Sequence, residues 1–307
     1  MTTLKRAGLP LLLLVLVAAT LTPEPAVRLR LNLKEGASYK MYNQIEQAVE
    51  QVVMGQEQNV KNQIGIGYRF DVLAARDQVF DVKLTYYKVK FSQEGPMGTI
   101  SYDSENPPET VPPQAQGFAA LGGQSLTLKL DAMGKVLDVG GVEDMIARMV
   151  EGLGQADAAT RAQIEQSLRQ QFGREAMSSQ MEAMFAVYPE GEVAVGDTWT
   201  REVAVNAGLP LKLASTYRLT AYEGGRATLE IESQIRPGTD GPVNMGGMEI
   251  EFDISGSQKG TAVMDAETGL ILEAEARQEV AGDMIVNGGA MTWPLVFRTH
   301  TKLSMEE

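Results

Sequence analysis

The chain of 307 residues has no cysteine and a single histidine. Without thiols it can form no disulfide and offers no thiolate nucleophile and no cysteine for lipid attachment. One imidazole, His300, leaves zinc sites, Ser-His-Asp triads and Cys-His dyads short of parts. Basic residues are in deficit too: 27 Lys+Arg stand against 40 Asp+Glu, a net charge of −13. That balance disfavours a grip on phosphate backbones, so no nucleic-acid partner is expected. What is present is 44% hydrophobic and 22% charged residues, the proportions of a globular protein. A body of this size buries about three quarters of its unfolded-chain surface, so burial alone can stabilise it.

The amino-terminal segment reads as an export leader. Lys5 and Arg6 precede the apolar run at 9–19 (LPLLLLVLVAA), and Val17-Ala18-Ala19 supplies small residues for cleavage, so residues 1–19 are expected to be a signal peptide. The run yields to Thr22-Pro23-Glu24-Pro25 well short of the ~20 apolar residues that a membrane helix needs. The expected mature protein is exported, periplasmic or extracellular, with no stable membrane anchor after cleavage.

Most of the remainder alternates with period two. Val27, Leu29, Leu31 and Leu33 alternate with Arg28, Arg30 and Asn32, the pattern of a half-buried strand. Ile45 to Val53 fits helix or strand, and the Met54-Gly55-Gln56 turn signal favours a strand leading into Val60, Ile64, Ile66, Tyr68, Phe70 and Val72. Phe80, Val82, Leu84 and Tyr86 then change phase to Tyr87, Val89 and Phe91, which predicts a β-bulge at Tyr86-Tyr87. Further meander strands follow from about Val193 to Leu303, separated by Gly224-Gly225, Pro237-Gly238 and Thr268-Gly269. A Pro/Gly-rich stretch at 95–124 reads as an exposed loop.

Three matches in the same order suggest duplication. Gly36-Ala37-Ser38-Tyr39 echoes Gly196-Asp197-Thr198-Trp199, Tyr68-Arg69-Phe70 echoes Tyr217-Arg218-Leu219, and the Asp131 to Gly134 turn echoes Asp265 to Gly269. Between the halves the period becomes 3.6. Val142, Met145, Ile146, Met149, Val150 and Leu153 share one helical face, Ile164, Leu168 and Phe172 a second, and Met177, Met181, Met184, Phe185 and Tyr188 a third. Gly154, Asp157 and Gly173 are the expected breaks. The expected fold is mostly β: a duplicated antiparallel curved sheet, half-barrel or sandwich with a three-helix insert in the middle. Its parts are a first β-rich half at 27–140, the insert at 141–188 and a second β-rich half at 189–307.

Several of these segments together resemble an uncharacterised family of exported bacterial proteins, a domain of unknown function. They are Leu31-Asn32-Leu33-Lys34-Glu35-Gly36, Tyr39-Lys40-Met41, Met54-Gly55-Gln56, the Asp131 to Val136 turn, and Tyr188-Pro189-Glu190 followed by Gly196-Asp197-Thr198-Trp199. Many members look like lipoproteins, and this chain departs from them in lacking the lipidated cysteine. The resemblance implies compartment and domain limits, and it brings no activity and no site residues.

No G-x-S-x-G, H-E-x-x-H, P-loop or EF-hand spacing occurs, so neither an enzyme nor a cofactor or metal site is expected. His300 falls out of phase with Leu295, Phe297 and Leu303 and is expected to face solvent. Asp197 reads as a turn residue and Trp199 as a strand residue capping the core. The thioethers carry the one speculative ligand site: Met145, Met149, Met177, Met181, Met184 and Phe185 could line an adaptable apolar cavity, although core packing uses the same residues. The favoured function is an exported, non-catalytic module for an apolar or lipid-like ligand. The alternative is a structural component of the cell envelope that partners another envelope protein.

Overall fold

A computed structural model describes residues 26–53, 56–96, 98–151, 158–185, 187–206, 210–239, 241–245 and 248–306. The expected leader, the Met54-Gly55 turn, Leu153 and the breaks at Gly154 and Asp157 lie outside the described residues.

The alternating segments pair into one antiparallel sheet of 13 strands. They are β1 (Ser38–Val53), β2 (Gln56–Arg76), β3 (Val79–Gly95), β4 (Gly98–Asp103), β5 (Ser125–Asp131), β6 (Val136–Gly140), β7 (Thr198–Asn206), β8 (Pro210–Glu223), β9 (Arg226–Pro237), β10 (Val243–Met245), β11 (Met248–Asp265), β12 (Ile271–Val286) and β13 (Met291–Glu306). The spatial order is β6-β5-β3-β2-β1-β13-β12-β11-β9-β8-β7, with β4 beside β3 and β10 beside β11. The sheet is curved and open, and β6 and β7 are its edges.

That order contains the same meander twice. β1-β2-β3-β5-β6 forms one unit and β7-β8-β9-β11-β12 the other, and β13 splices the first strand of one to the last strand of the other. Equivalent irregularities recur. Gly36 N donates to Val72 O at 2.9 Å and Gly196 N to Leu219 O at 2.7 Å, and both glycines have positive φ. Bulges follow Val72 in the β2–β3 pair and Leu219 in the β8–β9 pair. Others fall at Lys129/Leu130 and Val263/Met264, just before the two Asp turns. The Gly36 and Gly196 bonds align Val72 with Leu219 and hence Phe70 with Tyr217, two residues away from the match suggested by the tyrosines alone. The bulge expected at Tyr86-Tyr87 is present: Gly67 pairs with Lys88 and Tyr68 with Tyr86, leaving Tyr87 as the extra residue.

The segment at 27–33 corrects the sequence reading. Leu29, Leu31 and Leu33 are buried as the alternation requires, but the segment joins no ladder beyond one bridge between Val27 and Val193. Instead it crosses both Asp turns. Leu31 N donates to Ala132 O at 2.9 Å in the first turn, and Asn32 N donates to Thr268 O at 2.8 Å in the second. Alternation reports which side chains are buried, and an extended strap between two turns satisfies it as well as a strand does.

The helices are α1 (Gln116–Leu121), which lies within the first unit before β5, and α2 (Val142–Glu151), α3 (Ala158–Phe172) and α4 (Arg174–Phe185), which lie between the units. Gly173 separates α3 from α4, as expected. The stretch at 95–124 is not simply an exposed loop. It holds β4, a 3-10 turn at Pro113–Ala115 and α1, and Tyr102, Ala115 and Leu121 are buried. Phe118 stacks on Phe91 with ring centroids 4.3 Å apart. These elements are too short to display a period, so composition alone suggested a loop.

Helix α4 packs against both β6 and β7, so it spans the gap between the two sheet edges. Trp199 Nε1 on β7 donates to Val187 O at 2.8 Å, and Arg174 on α4 pairs with Asp138 on β6 at 2.6 Å. The result is one large core at the helix end of the sheet, in which α2 and α4 face Tyr68, Phe70, Tyr86 and the leucines of β5. Each fully buried Leu, Val, Met or Phe there contributes about 1.5–3 kcal/mol.

At the second turn Gly269 has φ +76°, and a Cβ there would lie 2.1 Å from Arg30 O in the strap. Gly269→Ala is therefore expected to lower unfolding stability by about 2–4 kcal/mol, from positive-φ strain plus displacement of the strap. Urea unfolding checks this, and Gly191→Ala, where a Cβ meets nothing within 4 Å, is the control.

Candidate functional site

Ladder registers place residues of neighbouring strands on common rows, and paired residues share a face. On the helix side, the inner face, one row runs Phe91, Ile64, Ile45, Thr301, Ala276, Gly260, Ile231, Tyr217 and Trp199. The row two residues farther from the helices is polar throughout: Gln93, Asn62, Gln47, Thr299, Gln278, Gln258, Ser233, Ser215 and Arg201. Beyond it the face is apolar again, with Val60, Val49, Phe297, Val280, Gly256, Ile235, Leu213 and Val203 in register. A belt one residue deep thus crosses the sheet between two largely apolar rows, and on β1 and β2 the row after the distal one is polar again, with Gln51 Nε2 donating to Gln58 Oε1 at 3.4 Å.

Part of the belt is self-satisfied. Gln93 Nε2 donates to Asn62 Oδ1 at 2.9 Å, Asn62 Nδ2 donates to Gln47 Oε1 at 3.1 Å, and the Ser215 and Ser233 hydroxyls lie 2.8 Å apart. Arg201 at the end of the belt is tied to the insert: Nε donates to Tyr188 O at 2.8 Å, and Glu190 lies 3.7 Å away. Arg201 is the only charged residue among the described inner-face positions of β1, β2, β7, β8, β9, β11, β12 and β13 in these rows and those beyond. Past the belt, Leu211, Ile235, Ile250, Phe252, Ile254, Val280 and Leu295 form a second, smaller apolar cluster, and Leu213, Val243, Met284 and Phe297 pack on it half-buried. No helix reaches this cluster.

The outer face differs. Lys61, Glu46, Ala48, Arg298, His300, Arg277, Glu279 and Lys259 line an open trough of about 730 Å³, to which the belt residues Gln47, Asn62, Gln278 and Thr299 also contribute. Its charges pair locally. His300 Nε2 lies 2.6 Å from Glu275 Oε1, Lys259 pairs with Glu232 at 3.0 Å, and Arg298 bonds Glu50 at 2.5 Å. The His300 hydrogen bond holds the Glu275 carboxyl below the usual range. His300 is on the outer face, as its phase required, but it is half-covered by its carboxylate neighbours. Among the described residues no cluster of three His, Asp or Glu could hold a metal, and no helix is long and apolar enough to cross a membrane.

The six residues singled out in the sequence come together in the large core. Met145, Met149, Met177, Met181 and Phe185 are at most 4% exposed, and Met184 is partly buried against them. Tyr86 Oη donates to Met177 Sδ at 3.5 Å, and Phe185 meets Phe70 edge-on at 5.6 Å. The belt escaped the sequence reading. Its signal is a polar residue at an inward position of each strand, such as Gln47 between Ile45 and Val49 or Ser233 between Ile231 and Ile235, and only the register lines these up.

A model described as a family of unknown function (DUF6263) matches residues 77–271, more than half of the chain. The chain belongs to this family. The matched span runs from the β2–β3 turn through the insert to the start of β12, so it contains both Asp turns. Among solved structures, one reported for lipid–protein interactions in lipovitellin is similar, with a TM-score of 0.52 at 9% identity, over 90% of this chain and 26% of that one. The likeness is one of fold, and this family member spans about a quarter of lipovitellin's length. An outer membrane channel from Pseudomonas putida F1 aligns over 90% of this chain and 97% of its own at 8% identity, with a TM-score of only 0.24. No curated protein matches the chain.

Buried phenols report on the large core. Burial pushes Tyr68 up to about 12, with an Asn43 hydrogen bond opposing it, and raises Tyr86 and Tyr188 further. A phenol held protonated in the fold stabilises it fully below the unfolded value near 10, and the contribution falls as pH rises from there towards the folded value. Unfolding free energy is therefore expected to decline between pH 10 and 12. Tyr188→Phe should flatten that decline, and at pH 7 it should cost about 1–2 kcal/mol through loss of the bond from Tyr188 Oη to Gly269 O at 2.8 Å. Urea titrations across this pH range check both.

Proposed function

We propose that the protein is an exported, non-catalytic binding module that holds an apolar or lipid-like ligand on the inner face of its sheet, beyond the helices. One observation carries the reading: the apolar row past the belt is only partly covered, with Val49, Val60, Leu213, Val203 and Phe297 all half-buried. A face of aligned valines, leucines and phenylalanine at a concave wall, left open by the insert, gains free energy when an apolar chain replaces the water on it. The lipovitellin likeness supports the reading, since that structure concerns lipid–protein interactions and shares this fold. Export rests on the leader-like segment at 1–19. The methionine cluster holds the insert against the sheet, which leaves the distal face as the place for a ligand.

Delipidated protein is expected to retain one equivalent of a long-chain lipid in native mass spectrometry when offered oleate, monoolein and phosphatidylcholine vesicles together. Val49 and Val60 stand outside both apolar clusters. Val49→Asp and Val60→Asp should therefore keep the circular dichroism of the fold while lowering retention about tenfold or more. Retention of none of the three lipids by folded protein overturns the reading.

A further inference from the structure

The belt bears on what kind of ligand the face selects. Its residues lie at inward positions whose neighbours two residues away along each strand are mostly apolar, as in Val60-Asn62-Ile64 on β2 and Ala276-Gln278-Val280 on β12. A polar side chain in such a place is unfavourable unless its donors and acceptors are met. Asn62 and Ser233 are met within the belt, whereas the side chains of Gln258, Gln278 and Thr299, half-buried at its centre, make no hydrogen bond among the described residues. These three supply donors and acceptors of neutral amide and hydroxyl type, beside Gln47 on β1.

Charge complementarity then fixes the class. Arg201 is the one charged side chain on this part of the inner face, and it is engaged by Tyr188 O and Glu190. Lys61, Lys259, Arg277 and Arg298 each follow or precede a belt residue by one position along their strands, so alternation puts their side chains on the outer face. A carboxylate or phosphate brought to the belt would lose water without meeting a cation, and an ammonium would meet no carboxylate. A hydroxyl, ester or amide carbonyl would find partners on Gln278, Gln258 and Thr299. On β1 and β2 the inward pair beyond Val49 and Val60 is polar again, with Gln51 Nε2 donating to Gln58 Oε1 at 3.4 Å, so the apolar track next to the belt runs across the strands and not along β1.

We infer that the ligand is an uncharged amphiphile, a single acyl chain ending in hydroxyl and ester or amide groups, whose chain lies on the half-buried Val60–Val49–Phe297 part of the distal row and whose polar end hydrogen-bonds the belt. This rests on the binding function proposed above, and it adds the headgroup. No bond is made or broken.

The test compares monoolein with oleate at pH 8, which share a chain and differ in charge, by native mass spectrometry and by displacement of a fluorescent acyl probe from the full-length protein. Monoolein is expected to bind at least about tenfold more tightly than oleate, the order expected when a charged group is desolvated without a partner. In the double variant Gln258→Leu, Gln278→Leu, which nearly preserves side-chain volume, monoolein should weaken about five- to tenfold. Binding of hexadecane, which has no polar end, should stay within about twofold, so that a folding defect is separated from loss of the belt. Equal affinity for oleate and monoolein, or a double variant that binds monoolein as the parent does, overturns the headgroup assignment and leaves the apolar face standing. Failure of monoolein, oleate and hexadecane alike overturns both.

Discussion

A sheet with one apolar face must cover that face, and among the described residues there is no second sheet to do so. Thirteen strands present an inward surface far larger than a few short helices can occupy. The response is unequal. At one end α2, α4 and the strap at 27–33 bury the face in the large core, and α4 bridges the edges that curvature brings near each other. At the other end no described helix covers the face, and only the small cluster around Phe252 and Leu295 is buried. The half-covered rows between these two solutions follow from that arithmetic of area.

The strap matters because the two units meet without a shared turn. They are joined at the middle of the sheet by β13, and at the closed end by residues 31 and 32, whose amides reach one Asp turn each. Both turns place a glycine with positive φ against neighbouring backbone: Gly134 against Phe185 and Gly269 against Arg30. The first contact locks α4 to the turn of unit one, and the second locks the strap to the turn of unit two. Tyr188, buried between them, closes the circuit by bonding Gly269 O. Insert, strap and both turns therefore form one mechanical unit, and loss of any contact loosens the closure of the sheet edges.

Much of this architecture was legible from period alone, because a side chain must alternate in a strand and recur every 3.6 residues in a helix. Ile45 to Val53 resolved correctly as strand through its turn signal, and the slip at Tyr86-Tyr87 marked a real bulge. What period could not convey is pairing. The strap at 27–33 shares its burial pattern with β1, yet its amides serve turns and not a ladder. β4 and α1 were too short to establish a period among the prolines. The methionines on α2 and α4 were visible as an apolar face, but helical spacing is the same for a cavity wall and a packed core, and the structure places them in the core. The belt is the converse case: each member is an ordinary glutamine, asparagine, serine or threonine, and the pattern exists only across strands that the register brings together.

The register also argues against the belt as a relic of duplication. Asn62 lies ten residues before Val72, whereas Ser215 lies four before its equivalent Leu219, so the belt crosses the two units at non-equivalent positions. The residue of unit one that occupies the place of Ser215 is Tyr68, which belongs to the large core. Copying a meander would carry a polar row to matching places in both units. Here it is continuous only in the assembled sheet, through Thr299 of β13, which belongs to neither repeat. A row of neutral hydrogen-bonding groups that spans independent strands, aligns only after folding and tolerates apolar neighbours on both sides is held against the local preference for apolar residues. Its level on the inner face marks where the surface changes from one that packs against the protein's own helices to one that no described helix covers.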